Sequence, residues 1–164
     1  MNYLKISVGI FIVLAASRFI PHPPNFTSLL ALSFYVPVLL GLKFIPSLII
    51  SFAITDLIIG YHFGTQWTWG SVLLIGLIST FFKKNIFWRM SGALLGATIF
   101  FVVTNFGVWT TGQYGLNIVG FKTTYILAIP FFTYSLISTL VFSSIIETIL
   151  KIYLYLFKKE ITNS

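Results

Sequence analysis

Residues 44–60 read FIPSLIISFAITDLIIG, a run of seventeen residues in which Asp56 is the only charged side chain. About 20 predominantly apolar residues are enough for a helix to cross a bilayer, and porin-like strands would instead alternate apolar and polar side chains. The stretch is therefore typical of a transmembrane helix. It also predicts one carboxylate at membrane depth.

The rest of the chain has the same apolar character. Of its 164 residues, 57% are hydrophobic and only 8% are charged, whereas soluble domains carry roughly 25% charged residues. This composition excludes a soluble globular enzyme and a disordered chain. The absence of cysteine from the sequence also excludes a disulfide scaffold and thiolate metal sites. We therefore expect an all-α integral membrane protein.

Apolar runs between polar residues predict six transmembrane helices in a single domain, residues 1–164. The predicted helices cover about residues 3–20, 26–42, 44–60, 67–82, 87–108 and 123–156. The last run is too long for one crossing, and proline disfavours the interior of a helix. We expect Pro130 to separate an outer piece, Thr123–Ile129, from a span near Phe131–Leu156.

The basic residues predict the orientation. With the N-terminus inside, Arg18 and Lys122 lie toward the outside, and eight basic residues lie on the cytoplasmic side. These eight are Lys5, Lys43, Lys83, Lys84, Arg89, Lys151, Lys158 and Lys159. An excess of Lys and Arg on cytoplasmic loops is the usual bias, so both chain ends are predicted in the cytoplasm. The net charge of +7 then requires no nucleic acid partner.

In this arrangement, the polar and charged side chains that are costly at membrane depth lie in the outer half of the bilayer. Arg18 is near the outer end of the first helix, Asp56 lies roughly 20 Å above Lys43, and Asn105 about 24 Å above Arg89, at 1.5 Å per residue. A charge at membrane depth costs at least about 2.5–3.5 kcal/mol and usually faces a partner or a cavity. Two compatible interpretations follow: an ion pair joins the first and third helices, or one or both charges line an outward-opening ligand pocket.

The outer loops supply further candidates. Residues 20–27 read IPHPPNFT, a stiff extended link in which Asn25 or Thr27 is placed to cap the second helix and His22 has either a ligand role or none. Residues 61–69, YHFGTQWTW, contain His62 and two tryptophans that either stack on a ligand or belong to an interfacial belt. The glycine-containing loop Trp109–Lys122 is either a lid or a passive connection.

Two local patterns lie in the last two predicted helices. Glycines at 92 and 96 and alanines at 93 and 97 form small-residue steps, which serve either packing within the chain or docking of a partner subunit. Glu147 and Lys151 are four residues apart and predict a structural salt bridge.

Motifs of common enzymes and metal sites are not found in the sequence. It has no glycine-rich phosphate loop, no metalloprotease motif and no nucleophile elbow. Two histidines and three acids are too few for a dinuclear metal centre. We therefore expect no enzymatic activity, no cofactor and no metal. The enzymatic alternative is an intramembrane enzyme built from Asp56, His22 and His62.

Four motifs carry a resemblance to a known family. They are Arg18-Phe19-x-Pro21-His22-Pro23-Pro24-Asn25-Phe26-Thr27, Asp56-Leu57-x-x-Gly60-x-His62, Thr104-Asn105-Phe106-Gly107-Val108-Trp109 and Pro130-Phe131-Phe132. Together they resemble a family of small bacterial membrane proteins without an assigned function, over about Ser17–Phe132. That family looks like the substrate-binding S components of energy-coupling factor (ECF) vitamin transporters.

The resemblance implies a fold and a set of partners. It implies a six-helix bundle in the bacterial inner membrane, with both ends cytoplasmic and an outer ligand pocket closed by the outer loops. The partners implied are a small organic ligand, membrane lipid, an ECF coupling subunit and two ATPases. S components typically dock the coupling subunit through small residues of the first helix. This sequence has no clear Ala-x-x-x-Ala there.

The hypothesis is a subunit that captures a small vitamin-like molecule from the outer face. Residues expected to line or gate the site are Arg18, His22, Asn25, Asp56, His62, Asn105 and Trp109. Arg18 would meet an anionic or carbonyl group, Asp56 an amine or Arg18 itself, and Trp109 would stack on the ligand. The alternatives are a stand-alone carrier or channel without an ATPase partner, and a structural membrane subunit.

Overall fold

Six α-helices make up nearly all of the structure. This computed structural model describes residues 2–61, 63–83 and 85–163, and within them there is no strand. The helices are α1 Tyr3–Phe19, α2 Leu29–Leu40, α3 Ile45–Ile59, α4 Thr65–Ser79, α5 Ile86–Thr110 and α6 Ile118–Asn163. Short 3₁₀ turns at Leu42–Phe44 and Thr80–Phe82 follow α2 and α4. The predicted all-α class and number of helices are confirmed for the described residues.

Several of these helices suit a membrane. Among the described residues, three helical segments are long and apolar enough to cross one, Leu42–Ile59, Ile86–Thr110 and Ile118–Leu156, and Leu29–Leu40 is a shorter apolar helix. The first segment combines a 3₁₀ turn with α3. Length and composition therefore agree with the predicted class of protein.

Helix α6 begins earlier than predicted. The side-chain Oδ1 of Asn117 accepts a hydrogen bond from the backbone N–H of Gly120 at 2.9 Å, which satisfies one of the free donors in the first turn. The helix therefore starts at Ile118. The connection from α5 is only residues 111–117, so the long loop expected over Trp109–Lys122 was wrong.

Pro130 does not interrupt α6, contrary to the prediction. The helix continues from Ile118 to Asn163 with Pro130 inside it. On the two sides of the proline, Tyr125 and Phe132 both contact the ring of Phe101 on α5, with centroid distances of 5.5 and 4.4 Å. A proline removes one backbone hydrogen bond, and packing against a neighbouring helix on both sides of the proline helps a helix to tolerate this loss.

Helix α2 is the centre of the bundle. It contacts each of the other five helices, and its residues from Leu29 to Pro37 are all buried. At 1.5 Å per residue its twelve residues are about 18 Å long. The other five helices pack around this short helix, and this arrangement brings polar residues of different helices together.

Contacts at the helix ends define two ends of the bundle. The hydroxyl of Tyr3 lies 2.7 Å from Ser47 Oγ, and Arg18 pairs with Asp56 near the other ends of α1 and α3, so these two helices are parallel. We name this second level the Arg18 end. At the opposite end of the bundle, which we name the Arg89 end, the start of α5 contacts the second half of α6.

Small residues on α5 serve packing within the chain. Gly92 is buried, and a Cβ atom built there would lie 2.5 Å from the ring of Phe34 on α2. At Gly107 a Cβ would lie 2.4 Å from two ring atoms of Trp67 on α4. The small-residue step on α5 was predicted to serve either packing within the chain or docking of a partner subunit. At Gly92 the structure shows packing within the chain.

We predict that Gly107→Ala destabilises the protein, because the added methyl group would overlap the Trp67 ring. Overpacking of this kind costs roughly 1–3 kcal/mol, and thermal unfolding in detergent measures it. Gly70→Ala on α4 is the matched control, since a Cβ there meets no atom within 4 Å. An unfolding temperature of Gly107→Ala equal to or above that of Gly70→Ala would contradict the predicted contact.

Candidate ligand-binding site

A mostly buried ion pair forms the centre of the site. Arg18 lies in the last turn of α1 and Asp56 in the last turn of α3. Arg18 Nη2 donates to Asp56 Oδ1 at 2.6 Å, and the two side chains are 14% and 4% exposed. The ion pair predicted between the first and third helices is therefore present. A charge-assisted hydrogen bond of this length is among the stronger polar contacts in proteins.

Neighbouring groups complete the hydrogen bonding of this pair. Arg18 Nη1 donates to Thr55 Oγ1 at 2.6 Å, and the guanidinium lies 4.6 Å from the ring centroid of Phe52. The second oxygen of Asp56, Oδ2, accepts a hydrogen bond from Trp69 Nε1 at 2.7 Å. The network thus ties α1, α3 and α4 together and leaves both carboxylate oxygens with a donor.

The ion pair lines a cavity that we name the first cavity. Its volume is about 290 Å³, close to the lower end of small-molecule sites. Every helix and the α1–α2 connection contribute to its wall. The lining residues are Arg18, His22, Asn25, Thr27, Leu29, Leu30, Phe52, Asp56, Ile59, Thr68, Phe100 and Ser135. Charged, amide, hydroxyl and aromatic groups from all parts of the sequence therefore meet at one place.

The α1–α2 connection forms one side of this wall. His22 Nδ1 lies 2.7 Å from the carbonyl oxygen of Pro23, and its Nε2 lies 3.3 Å from that of Arg18. Asn25 adopts the left-handed conformation with φ +62°, and its carbonyl oxygen accepts a hydrogen bond from Ser138 Oγ on α6 at 3.3 Å. The connection is thus a folded segment attached to α6 at Asn25.

Capping of α2 differs from the prediction. The helix begins at Leu29 with Ser28 as its N-cap residue, because the left-handed turn at Asn25 delays the start of the helix. Asn25 is not a cap. Thr27 Oγ1 accepts a hydrogen bond from the backbone N–H of Leu29 at 3.4 Å, which is a long contact.

Asn105 lies in a neighbouring second cavity and does not line the first. This second cavity has a volume of about 110 Å³ and shares Asn25, Phe100 and Ser135 with the first. The Asn105 amide Nδ2 donates to the carbonyl oxygen of Phe101 one turn earlier, at 2.7 Å. Asn105 is thus in the cavity adjoining that of Arg18 and Asp56, since depth along a helix does not specify which neighbour a side chain meets, and its role in binding stays a prediction.

Trp109 lines neither cavity. Its ring packs between Phe106 and Phe121, with centroid distances of 5.5 Å to each. Its indole Nε1 is buried and has no hydrogen-bond partner among the described residues. Trp109 thus belongs to the contact between α5 and α6, and its expected stacking on a ligand stays a prediction. His62, the remaining candidate, lies outside the described residues.

A second ionic cluster, which the sequence did not predict, lies at the Arg89 end. Arg89 Nε and Nη2 donate to the two carboxylate oxygens of Glu147, each at 2.6 Å. The hydroxyl of Tyr35 on α2 donates to Glu147 Oε1 at 2.9 Å. The expected salt bridge between Glu147 and Lys151 was wrong, because Glu147 faces α5 and α2 while Lys151 is exposed.

Some lining residues gave only weak sequence signals. Phe52, Thr68, Phe100 and Ser135 are ordinary residues of apolar helices, and nothing in their sequence context separates them from packing residues. Trp69 carried a signal, but it was as consistent with an interfacial belt as with a site. Its indole N–H bonds Asp56, so Trp69 supports the ion pair directly.

The helices and the buried polar groups define an all-helical protein with segments suited to crossing a membrane. The chain belongs to a family of unknown function, DUF6580, whose family model matches residues 2–159. No curated protein and no solved structure matches the chain.

We predict that Trp69→Phe destabilises the protein while keeping an aromatic ring at this position. The substitution leaves Asp56 Oδ2 buried without its donor, which costs about 1–3 kcal/mol. Thermal unfolding in detergent measures the loss. Trp88→Phe is the control, because Trp88 is 45% exposed. Equal unfolding temperatures for the two variants would show that the Trp69 hydrogen bond contributes nothing.

Proposed function

We propose that this protein is the substrate-binding subunit of an ECF-type importer in the bacterial inner membrane. In this role it captures a small vitamin-like molecule from the outer face. The observation that carries the proposal is the first cavity, in which a satisfied buried ion pair, hydroxyl groups and aromatic rings from all six helices surround about 290 Å³. Seven of the twelve lining residues are polar or charged, and convergent polar groups beside apolar and aromatic surface suit a small polar organic ligand.

The distribution of charge supports the orientation. Lys5 and Lys43 are near the starts of α1 and α3, and Arg89 is near the start of α5, all away from the Arg18 end. The positive-inside bias then assigns the Arg89 end to the cytoplasm and the Arg18 end to the outside. The first cavity faces the outside in this orientation, as capture of an external molecule requires.

The cavity wall favours a small ligand that is neutral or carries a carbonyl or carboxylate. Asp56 already receives hydrogen bonds from Arg18 and Trp69, so it positions Arg18 and is a poor partner for a ligand amine. A guanidinium has five N–H donors, and Arg18 uses three of them in its hydrogen bonds to Phe52, Thr55 and Asp56. Phe52 and Phe100 offer ring surfaces beside it.

The proposed energising partners are a membrane coupling subunit and two ATPases. Leu4, Val8 and Ile12 are exposed on α1 at four-residue steps, and a Cβ atom at Gly9 would meet no atom within 4 Å. This face is open to a partner helix in a bilayer. The docking contact would use large apolar side chains with one glycine, which departs from the small-residue pattern of S components.

A bulky side chain at the wall of the first cavity tests the proposal. Ile59 lines the cavity and is 53% exposed, whereas its neighbour Ile58 is 65% exposed and does not line it. We predict that native mass spectrometry of gently extracted protein finds a bound small molecule. Ile59→Trp should lower its retention severalfold because the indole fills the cavity, while Ile58→Trp should retain it.

Two outcomes would contradict the proposal. Wild-type protein that carries no small molecule after extraction from cells that hold its natural ligand would favour a structural subunit. Equal retention by Ile59→Trp and wild type would place the ligand elsewhere. Uptake of the released molecule by the lone chain in liposomes would favour a stand-alone carrier over an ECF subunit.

A further inference from the structure

A groove that is separate from the first cavity lies over α2, between α1 and α6. Because α1 packs mainly against α3 and α6 mainly against α5, the space between α1 and α6 is not closed. The groove has a volume of about 530 Å³ and is lined by eleven residues of these three helices. We name it the lateral groove. Its lining includes Gly9 and Val13 of α1, Leu32 and Leu40 of α2 and Ile149 of α6.

The wall of the lateral groove is apolar. Apart from Gly9 and Tyr35, every residue that lines it is Ile, Leu or Val. The hydroxyl of Tyr35 is already occupied, because it donates to Glu147. Val13 and Ile149 are 50% and 61% exposed, so the groove is open to the surroundings of the bundle. Its chemistry suits a hydrocarbon and differs from that of the first cavity.

A flexible chain fits this wall better than a helix of a partner protein. Helix interfaces in membranes are enriched in small residues, which let two backbones approach closely, whereas branched side chains line this groove and Gly9 is the one small residue among them. Empty space beside such side chains loses dispersion contacts, and a lipid acyl chain can follow an irregular surface. From Ile6 to Val13 the groove extends about 10 Å along α1, which a part of one acyl chain covers.

The lateral groove and the face of α1 that is proposed for the coupling subunit are on different sides of the helix. With 3.6 residues per turn, Ile6 and Ile10 are about half a turn from Leu4, Val8 and Ile12. An occupant of the groove therefore leaves that face free. The groove is also independent of the molecule captured in the first cavity.

Two lysines lie where the groove reaches the Arg89 end. Lys5 directly precedes Ile6, Lys43 follows Leu40 by three residues, and both lysines are exposed. The hydroxyl of Tyr3 donates to the carbonyl oxygen of Lys43 at 3.2 Å, so the first turn of α1 lies beside Lys43. Side chains of a helix point toward its N-terminus. Lys5 therefore extends beyond the apolar wall, toward the Arg89 end.

Neither lysine is neutralised by an acid of the described part of the chain. Asp56 and Glu147 are both paired with arginines, and no ion pair of the described residues includes Lys5 or Lys43. Basic groups beside an apolar space between helices are complementary to an anionic lipid headgroup. The positive charge at this end of the groove therefore favours a phospholipid with net negative charge over a zwitterionic one.

We propose that the lateral groove binds an acyl chain of an anionic phospholipid, whose phosphate group lies against Lys5 and Lys43. The apolar wall holds the chain, and the two lysines select the headgroup. In the orientation proposed above, this lipid belongs to the cytoplasmic leaflet.

Native mass spectrometry of detergent-solubilised protein tests the groove. The protein is titrated with phosphatidylglycerol or with phosphatidylcholine of the same acyl chains, and wild type should retain severalfold more phosphatidylglycerol. Gly9→Leu should lose most of this retention, because the leucine side chain occupies the groove. A Cβ atom at Gly9 meets no atom within 4 Å, so the fold accommodates the change. Gly70→Leu on α4 is the matched control, since its Cβ is equally free of contacts, and it should bind as wild type does.

The headgroup contact is tested with paired charge variants. Lys5→Gln/Lys43→Gln should lower the retention of phosphatidylglycerol to that of phosphatidylcholine, whereas Lys83→Gln/Lys122→Gln removes the same charge elsewhere and should keep the preference. Equal retention of the two lipids by wild type would show non-selective lipid contact and overturn the proposal. Equal retention of phosphatidylglycerol by Gly9→Leu and wild type would also overturn it. A small molecule in the first cavity is detected in the same spectra, and its absence would contradict the proposed function alone.

Discussion

The contact between Arg18 and Asp56 is the constraint on which the rest of the candidate site depends. Each charge is costly in an apolar bundle unless it is paired and hydrogen-bonded, and here the pair is completed by Thr55 and Trp69. The contact fixes the ends of α1 and α3 against each other and brings α4 to them. The shape of the first cavity follows from this arrangement.

A second ionic cluster balances the first at the opposite end of the bundle. Arg89, Glu147 and Tyr35 join α5, α6 and the central helix α2, much as Arg18, Asp56 and Trp69 join α1, α3 and α4. Between the two clusters, α6 carries the buried hydroxyl residues Ser135, Thr139 and Ser143. The buried charges are therefore concentrated at two levels of the bundle.

The sequence predicted the features that depend on composition and on the small number of charged residues at membrane depth. Arg18 and Asp56 could be paired because they were the only opposite charges expected at one depth. Arg89 and Glu147 could not, because Arg89 was counted only as one of the basic residues on the cytoplasmic side and Lys151 offered Glu147 a local partner. The placement of Asn105 and Trp109 depends on the register between α5 and α6. Likewise, Pro130 is accommodated through the contacts of Tyr125 and Phe132 with Phe101, which no local pattern specifies.

A double-mutant cycle between Arg18 and Asp56 tests the central claim most directly. Arg18→Met, Asp56→Asn and the double variant are unfolded in mixed micelles, and their free energies of unfolding are compared with wild type. Loss of one partner should cost about 3–5 kcal/mol because the other charge stays buried and unpaired, and the double variant should lose much less than the sum of the two single losses. Additive losses would show that the two side chains do not stabilise each other.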